Sequence, residues 1–408
     1  KYPARTDTTN YFSGRRSETF DAAQFETQMA LDEVTLAEAL KEGGYRTFFA
    51  GKWHLGPQGH WPTDQGFDIN KGGAENGLPR SYFSPYKNVK NLPPGPEGEF
   101  LTARLASEAV KFLEDSAKQP DPFLLYLSFY SVHTPLQAPK RLIDKYQAKA
   151  KRLGIDGDEG SFDPGRERQV WPDAKGDRNV RIRQDHAVYA AMVESLDTAV
   201  GRVLKRLEEL GLKDDTAVLF MSDNGGLSTS EGLPTSNLPL RGGKGWMYEG
   251  GIREPVVIRW PGVTAPGTRC AAPAVSTDFY PTILEMTGQE AKPEQHVDGV
   301  SIVPLLRNPF AKFDRGPIFF HYPHYANQGG FPSSAVRVGD LKLIQDLEDG
   351  EYELYDLKDD IAEHNNLEQL NADKVKEMGD LLDAWRREVD AKPLRPHPKT
   401  GAKPPKLW

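Results

Sequence analysis

Short apolar runs alternate with amphipathic helical stretches through residue 287, and each run stops at polar or glycine residues. That alternation constrains the fold more than any other feature of the chain. Thr35-Leu-Ala-Glu38 is a capping box and Gly43-Gly44 a stop, so a helix fills 36–42. Tyr45–Ala50 then reads as a strand running into Gly51-Lys-Trp-His-Leu-Gly56. Residues 57–100, rich in Gly, Pro and Asn, read as loop. Leu101, Leu105, Phe112 and Leu113 share one helical face over 102–116, and the run 123–129 reads as a buried strand. Tyr189, Val193, Leu196, Val200, Leu204 and Leu207 predict a long helix over 184–210, stopped at Gly211. Strands follow at 216–221 and 255–260, with a helix at 277–287. Such alternation implies an α/β fold whose mostly parallel sheet is covered on both faces by helices. The charged, Gly/Pro-interrupted stretch 150–180 reads as a surface excursion.

From about residue 315 the pattern changes. Ile318–His321, Ser334–Val338, Leu341–Gln345 and Tyr352–Asp356 read as short strands, with Gly339-Asp340 and Asp349-Gly350 as two-residue hairpin turns. A last helix fills 372–389, which makes a small antiparallel sheet plus helix. The expected organisation is a large α/β unit over 1–314, a C-terminal antiparallel subdomain over 315–391 and an extended tail over 392–408. The 408 residues suffice for a large domain plus a smaller one.

Composition narrows the function. The net charge of −8 argues against nucleic acid as the main partner, yet leaves room for a small cationic pocket. Cys270 stands alone, so no internal disulfide or thiolate metal cage forms. The longest apolar run, Phe123 to Val132, is too short to span a bilayer.

Polar residues follow three predicted strands: Lys52 with His54, then His133, then Asp223 with Asn224. In parallel sheets the carboxyl ends of strands line the ligand crevice, so these segments are expected to converge. A fourth segment, Arg241–Arg253, carries Lys244 among glycines at 242, 243, 245, 250 and 251, which would let backbone approach a ligand closely. Taken singly, each His reads as a loop residue and Asp-Asn-Gly as a turn. Together they change the reading. Asp223 and Asn224 are hard oxygen donors suited to Ca²⁺ or Mg²⁺, and lysines suit a compact oxyanion. The set describes a metal-assisted site for a sulfate or phosphate ester.

Gly51-Lys-Trp-His-Leu-Gly56, Ser222-Asp-Asn-Gly225 and the stretch Gly242–Pro255 resemble the type I sulfatase family of the alkaline-phosphatase superfamily. His133-Thr-Pro135, Ser276–Ile283 with Asp298-Gly-Val-Ser301, and Glu353–Leu357 extend the resemblance, in the family's order, over nearly the whole chain. It implies that Asp223 and Asn224 ligate a divalent cation, usually Ca²⁺. Lys52 and Lys244 would hold sulfate oxygens and offset developing charge. His54 would contact the hydrated aldehyde nucleophile, and His133 would help protonate the leaving alcohol. The family's nucleophile is formylglycine, made from the first residue of Cys/Ser-x-Pro-x-Arg. Its hydrate attacks sulfur, the alcohol departs, and the remaining hydroxyl expels sulfate to restore the aldehyde.

The chain departs from the family at one place. It contains no Cys/Ser-x-Pro-x-Arg and lacks the family's early Asp-Asp metal ligands, while Lys1-Tyr-Pro-Ala-Arg5 resembles the stretch just after the nucleophile helix. The expectation is that an N-terminal strand and the nucleophile lie outside these residues, and that the isolated chain is inactive and poorly stable. Glu75, Asn76, Arg80 and Tyr82, in the polar and aromatic loop 72–86, are candidate sugar contacts, as are His321, His324 and, by stacking, Trp246 and Tyr248. Asp185–His186 reads as a helix cap. The expected activity is hydrolysis of sulfate esters, with a sulfated carbohydrate as the expected substrate. A phosphodiester or phosphonate hydrolase of the same superfamily and a non-catalytic sulfated-glycan-binding remnant are the rivals. The resemblance also implies a periplasmic or secreted location.

Overall fold

The computed structural model describes residues 1–9, 20–157, 159–167 and 178–398. In chain order the elements are α1 (Pro3–Thr6), β1 (Phe20–Asp21), α2 (Leu36–Glu42), β2 (Arg46–Gly51), β3 (Ile69–Lys71), α3 (Leu101–Ser116), β4 (Phe123–Ser128) and α4 (Lys140–Leu153). There follow β5 (Phe162–Glu167), β6 (Arg178–Arg181), α5 (Ala187–Glu209), β7 (Val218–Met221), α6 (Glu249–Ile252), β8 (Val256–Arg259), α7 (Phe279–Met286) and α8 (Val303–Arg307). The C-terminal part holds β9 (Ile318–Tyr322), β10 (Ser333–Val338), β11 (Leu341–Asp346), β12 (Tyr352–Asp356), α9 (Ala372–Glu388) and β13 (Arg395–Pro396).

Local chemistry sets the helix starts. The Thr35 hydroxyl accepts from Glu38 N at 3.1 Å while Glu38 returns the bond to Thr35 N at 2.7 Å, which completes the capping box of α2. His186 Nδ1 accepts from Tyr189 N, so α5 begins at Ala187. Neighbouring Asp185 is spent on Arg181, Arg183 and Ser161.

The fold is α/β, with a parallel sheet and a small antiparallel one. β2 lies between β3 and β4, and both pairings are parallel. The strand β3, inside the stretch read as loop, is three residues long, too short to leave a periodic signal. β2 and β4 pack against α3 through Phe48, Leu105, Ala109, Phe112 and Phe123, within the largest core cluster. The second pair, β7 and β8, is antiparallel, unlike the parallel continuation expected from the alternation. The chain between them is a long folded loop rather than a crossover helix, so it returns in the opposite sense. Tyr126, Phe220, Met221, Val256 and Val257, on β4, β7 and β8, remain exposed.

The C-terminal sheet is antiparallel in the order β12-β11-β10-β9. The β10–β11 connection is the two-residue Gly339-Asp340 turn. The next is longer than the predicted two-residue turn at Asp349-Gly350: Asp346 N bonds Glu351 O, closing a four-residue loop. α9 covers this sheet through Met378, Leu382 and Trp385, and Tyr2 and Ala4 from the start of the chain join the same cluster. Residues expected to form a surface excursion instead build the β5–β6 hairpin, with Ser161, Val180 and Arg181 buried. Residues 158 and 168–177 of that stretch, and 399–408 of the expected tail, lie outside the described residues. No helix among the described residues is long and apolar enough to cross a membrane.

Candidate active site

β2 ends in Gly51, whose φ of +112° and close approach to the Ser128 carbonyl leave no room for a Cβ. Lys52 N then bonds Ser128 O at 2.8 Å, so the first residue beyond β2 is pinned to the end of β4. His54 sits at φ +60°, its N–H bonded to Ala74 O at 2.9 Å. Beyond β4, His133 N bonds Tyr130 O. The Tyr82 hydroxyl donates to the carbonyls of Tyr130 at 2.7 Å and His133 at 2.9 Å. Tyr82 is fully buried, so it braces the His133 turn rather than stacking on a sugar.

Lys244 arrives from a different direction. Its N–H bonds Gly226 O at 3.1 Å, and Gly225 N bonds Gly251 O. Asn237 staples the two segments: its Oδ1 accepts from Gly226 N, and its Nδ2 donates to Gly226 O and Gly242 O. The glycines of this loop serve packing within the protein. A Cβ at Gly243 would meet Gly226 O at 2.4 Å, one at Gly250 would meet Arg241 O at 2.3 Å, and one at Gly251 would meet Trp246 O at 2.2 Å. Close approach of backbone to backbone, not of backbone to ligand, accounts for them. Trp246 and Tyr248 are buried and stack on each other in the core. Arg241 lies 3.8 Å from the centre of the Tyr248 ring and pairs with Glu167.

These loops bring Lys52, His54, His133, Lys244 and Asp223 within electrostatic reach of one another. Burial, with Lys244 adding repulsion, lowers the Lys52 pKa. Burial lowers His54 to about 4, reinforced by Lys52, His133 and Lys244, so its imidazole is neutral near pH 7. Burial and then Lys244 lower His133 as well. The site thus brings two ammonium groups, Lys52 and Lys244, beside two imidazoles held toward their neutral form, the donors an oxyanion requires.

Asn224 Nδ2 donates to Asp223 Oδ1 at 3.0 Å. Asp223 stands two positions after Met221 and Glu254 two positions before Val256, the residues that pair at one end of β7 and β8. Glu254 Oε1 is buried with no hydrogen-bond partner, and burial followed by the Asp223 charge pushes its carboxyl up to about 7. An orphaned carboxylate oxygen beside a second carboxylate and an amide oxygen fits a hard divalent cation. No group of three or more His, Cys, Asp or Glu among the described residues converges to hold a metal.

The candidate sugar contacts divide. Glu75 pairs with Lys90 and accepts from Trp61 Nε1 at 3.2 Å. Asn76 Nδ2 is buried without a hydrogen-bond partner, while Arg80 is exposed. The loop reaches the site through Gly77, where a Cβ would lie 2.4 Å from His54 Cε1. Gly77→Ala is therefore expected to displace the His54 ring and to lose ~1–3 kcal/mol of stability. Chemical denaturation measures the second effect, and the His54 ring resonances the first. His321 is occupied by the Ser334 hydroxyl on Nδ1 and the Lys392 carbonyl on Nε2. His324 is buried against Phe25 and Tyr322. The C-terminal subdomain instead meets the site through Asn327 and Gln328, which both donate to Glu231, a carboxylate within electrostatic reach of Lys52 and His133. The motifs gave no sign of Glu231, which follows no predicted strand, and Glu254 lies within the Gly242–Pro255 stretch with nothing to single it out.

Residues 8–289 match the family described as Sulfatase, and residues 243–388 match one described as N-sulphoglucosamine sulphohydrolase, C-terminal. A protein of Formosa agariphila described as a sulfatase is 31% identical over 87% of this chain and 70% of its own length. Human arylsulfatase A is 32% identical over 77% of this chain and 58% of its own length. Among solved structures, Ps i-CgsB in complex with k-i-k-neocarrahexaose superposes with a TM-score of 0.70 at 25% identity, over 94% of this chain and 79% of that one. A protein solved with its substrate D-glucosamine-2-N,6-O-disulfate shares the fold, with a TM-score of 0.66 at 23% identity over 95% of this chain and 88% of that one.

Proposed function

Because the chain belongs to the sulfatase family, whose members are sulfuric ester hydrolases, we propose that it hydrolyses sulfate esters of a carbohydrate. The observation that carries the reading is the convergence of Lys52, Lys244, His54 and His133 on one recess beside Asp223. Lys52 and Lys244 hold sulfate oxygens and offset the charge that builds in the transition state. His133 delivers a proton to the departing alcohol oxygen. His54, neutral and pressed against Gly77, orients the attacking group. Asp223 and Asn224 would hold Ca²⁺, with Mg²⁺ as the alternative, and the cation would supply positive charge for the sulfate and for the nucleophile. The nucleophile is a formylglycine outside these 408 residues, which contain no Cys/Ser-x-Pro-x-Arg.

The sugar-contacting set proposed for this site is Glu75, Asn76 and Arg80, together with His321 and His324. The last two reach substrate only if the 321–324 segment rearranges, given the contacts they make. Residues 1–314 are the proposed catalytic unit and 315–391 its C-terminal companion. A periplasmic or secreted location belongs to the same proposal.

The test uses protein purified from its natural source. It is incubated with a sulfated oligosaccharide and, separately, with the desulfated counterpart. Inorganic sulfate released from the first is the expected result. Binding of the sulfated glycan without any release would overturn hydrolysis and install the glycan-binding reading.

A further inference from the structure

His133 can protonate a leaving alcohol only as the imidazolium, and its surroundings disfavour that form. Lys244 from the glycine loop and Lys52 from the loop after β2 both place positive charge near it. Its Nδ1 lies 3.0 Å from the Thr134 carbonyl and 3.3 Å from the Thr134 hydroxyl. A carbonyl accepts only, so Nδ1 carries a proton in either charge state and Nε2 is the nitrogen that gains and gives the second one.

One carboxylate answers the two lysines. Glu231 Oε2 accepts from the Thr134 hydroxyl at 3.4 Å. Its other oxygen, Oε1, accepts from Asn327 Nδ2 at 3.0 Å and Gln328 Nε2 at 2.6 Å. Glu231 and Leu233 both take positive φ, +52° and +47°, on either side of Gly232 at +93°. Non-glycine residues adopt that backbone only when surrounding structure imposes it. Here the imposing contacts are the two amides on the carboxylate and the Leu233 N to Ser230 O bond that closes the turn. Gln328 is itself held, because its carbonyl accepts from Thr229 Oγ1 at 2.7 Å and Trp246 Nε1 at 3.3 Å.

We propose that Glu231 is a positioning residue for His133, clamped by Asn327 and Gln328 of the C-terminal subdomain. Its carboxylate draws the Thr134 hydroxyl proton toward itself. The Thr134 oxygen then offers a lone pair to His133 Nδ1–H, which fixes the ring and supports its positive form. Loss of the Nε2 proton to the alcohol oxygen, as the S–O bond breaks, returns His133 to the neutral Nδ1–H tautomer. This assignment makes the C-terminal subdomain part of the acid machinery. It rests on the sulfate-ester reading for its purpose but not for its measurement.

The test is a pH titration of His133 by heteronuclear NMR on this chain, as wild type, Glu231→Gln and Glu231→Asp. Glutamine keeps the size and loses the charge. The expected result is a fall of the His133 midpoint by ~1 pH unit in Glu231→Gln, with a smaller fall in Glu231→Asp. His321, bonded to Ser334 and the Lys392 carbonyl, serves as an internal control whose resonances stay in place. An unmoved His133 midpoint in Glu231→Gln overturns the assignment. If Glu231→Gln does not fold, Thr134→Val decides, since it keeps the carboxylate and removes the bridge: a changed Nδ1 shift supports the relay, and an unchanged one rejects it. Inorganic sulfate added to the same samples reports separately on Lys52 and Lys244. Failure to bind sulfate would strike the hydrolase reading, whereas an unmoved midpoint strikes only Glu231.

Discussion

Replacing Lys342 with methionine is expected to remove ~3–5 kcal/mol of folding stability, because one partner of a buried ion cluster is lost while the others stay. Lys342 is 1% exposed and lies between Glu249 at 2% and Glu363 at 1%. Its ammonium bonds Glu249 Oε1 at 3.0 Å and Glu363 Oε1 at 2.8 Å, and Glu363 Oε2 accepts from Glu249 N at 2.7 Å. The two carboxyls respond differently to burial. For Glu249 burial acts upward, but Lys342 and then Arg337 and Arg253 reverse it and hold the group below its usual range. For Glu363 burial prevails over the single ammonium, and the group sits above its usual range. Removing Lys342 therefore leaves two facing carboxyls in a dry site, one of which was kept ionised mainly by that lysine. Urea denaturation of the single variant measures the loss. The triple variant Lys342→Met, Glu249→Gln, Glu363→Gln should recover most of it, since neutral amides avoid the uncompensated charge. A single-variant loss below ~1 kcal/mol would mean that water reaches the cluster.

The cluster has a second consequence. Glu249 opens α6 at the end of the glycine loop that carries Lys244, while Lys342 stands on β11 and Glu363 just beyond β12. The C-terminal sheet thus anchors the loop that carries Lys244. The span of the second family match, residues 243–388, joins the same two parts of the chain.

The other large effect concerns turnover. In the enzyme carrying its nucleophile, Lys52→Ala is expected to lower kcat by ~10²–10³-fold, the range seen when one preorganised donor to a developing oxyanion is removed. Lys52→Arg should not restore it, because a planar guanidinium does not replace a compact ammonium. His133→Ala should behave differently from Lys52→Ala. Its loss should approach ~10²–10⁴-fold for a sugar sulfate, whose alkoxide needs a proton, and shrink for an aryl sulfate, whose phenolate leaves without one. Steady-state kinetics on both ester types separates the roles. Equal losses on both substrates would remove His133 from the role of acid.

Much of this site was legible in the sequence because its parts sit at strand ends. Thr35 and Glu38 announce α2, the Lys52–His54 pair follows β2, His133 follows β4, and Asp223 and Asn224 follow β7. Strand periodicity and local capping suffice to find such positions. What the sequence hid depends on contacts between distant segments. Tyr82 looks like a sugar-stacking residue until its hydroxyl is seen on the carbonyls of Tyr130 and His133. Glycines 243, 250 and 251 look like a ligand cradle until the opposing backbone is in place. His321 ends a predicted strand and reads as a sugar contact, yet Ser334 and the Lys392 carbonyl consume both of its nitrogens. Glu231 and Glu254 lie in loops whose course is set by Asn327, Gln328 and the β7–β8 pairing, none of which leaves a local pattern. The short strand β3 and the Lys/Arg-rich helix α4 escape for a simpler reason. One is too brief for periodicity, and the other buries only Leu142 and Ala150.

The central claim is that the recess formed by Lys52, His54, His133 and Lys244 serves sulfate esters. Its most direct test is the ratio of kcat/KM for a matched pair, an aryl sulfate and the corresponding aryl phosphate, with protein from its natural source. Sulfate release should dominate, and Lys244→Ala should depress it while leaving the fold intact. Preferential release of phosphate would contradict the account and assign the recess to phosphoester chemistry.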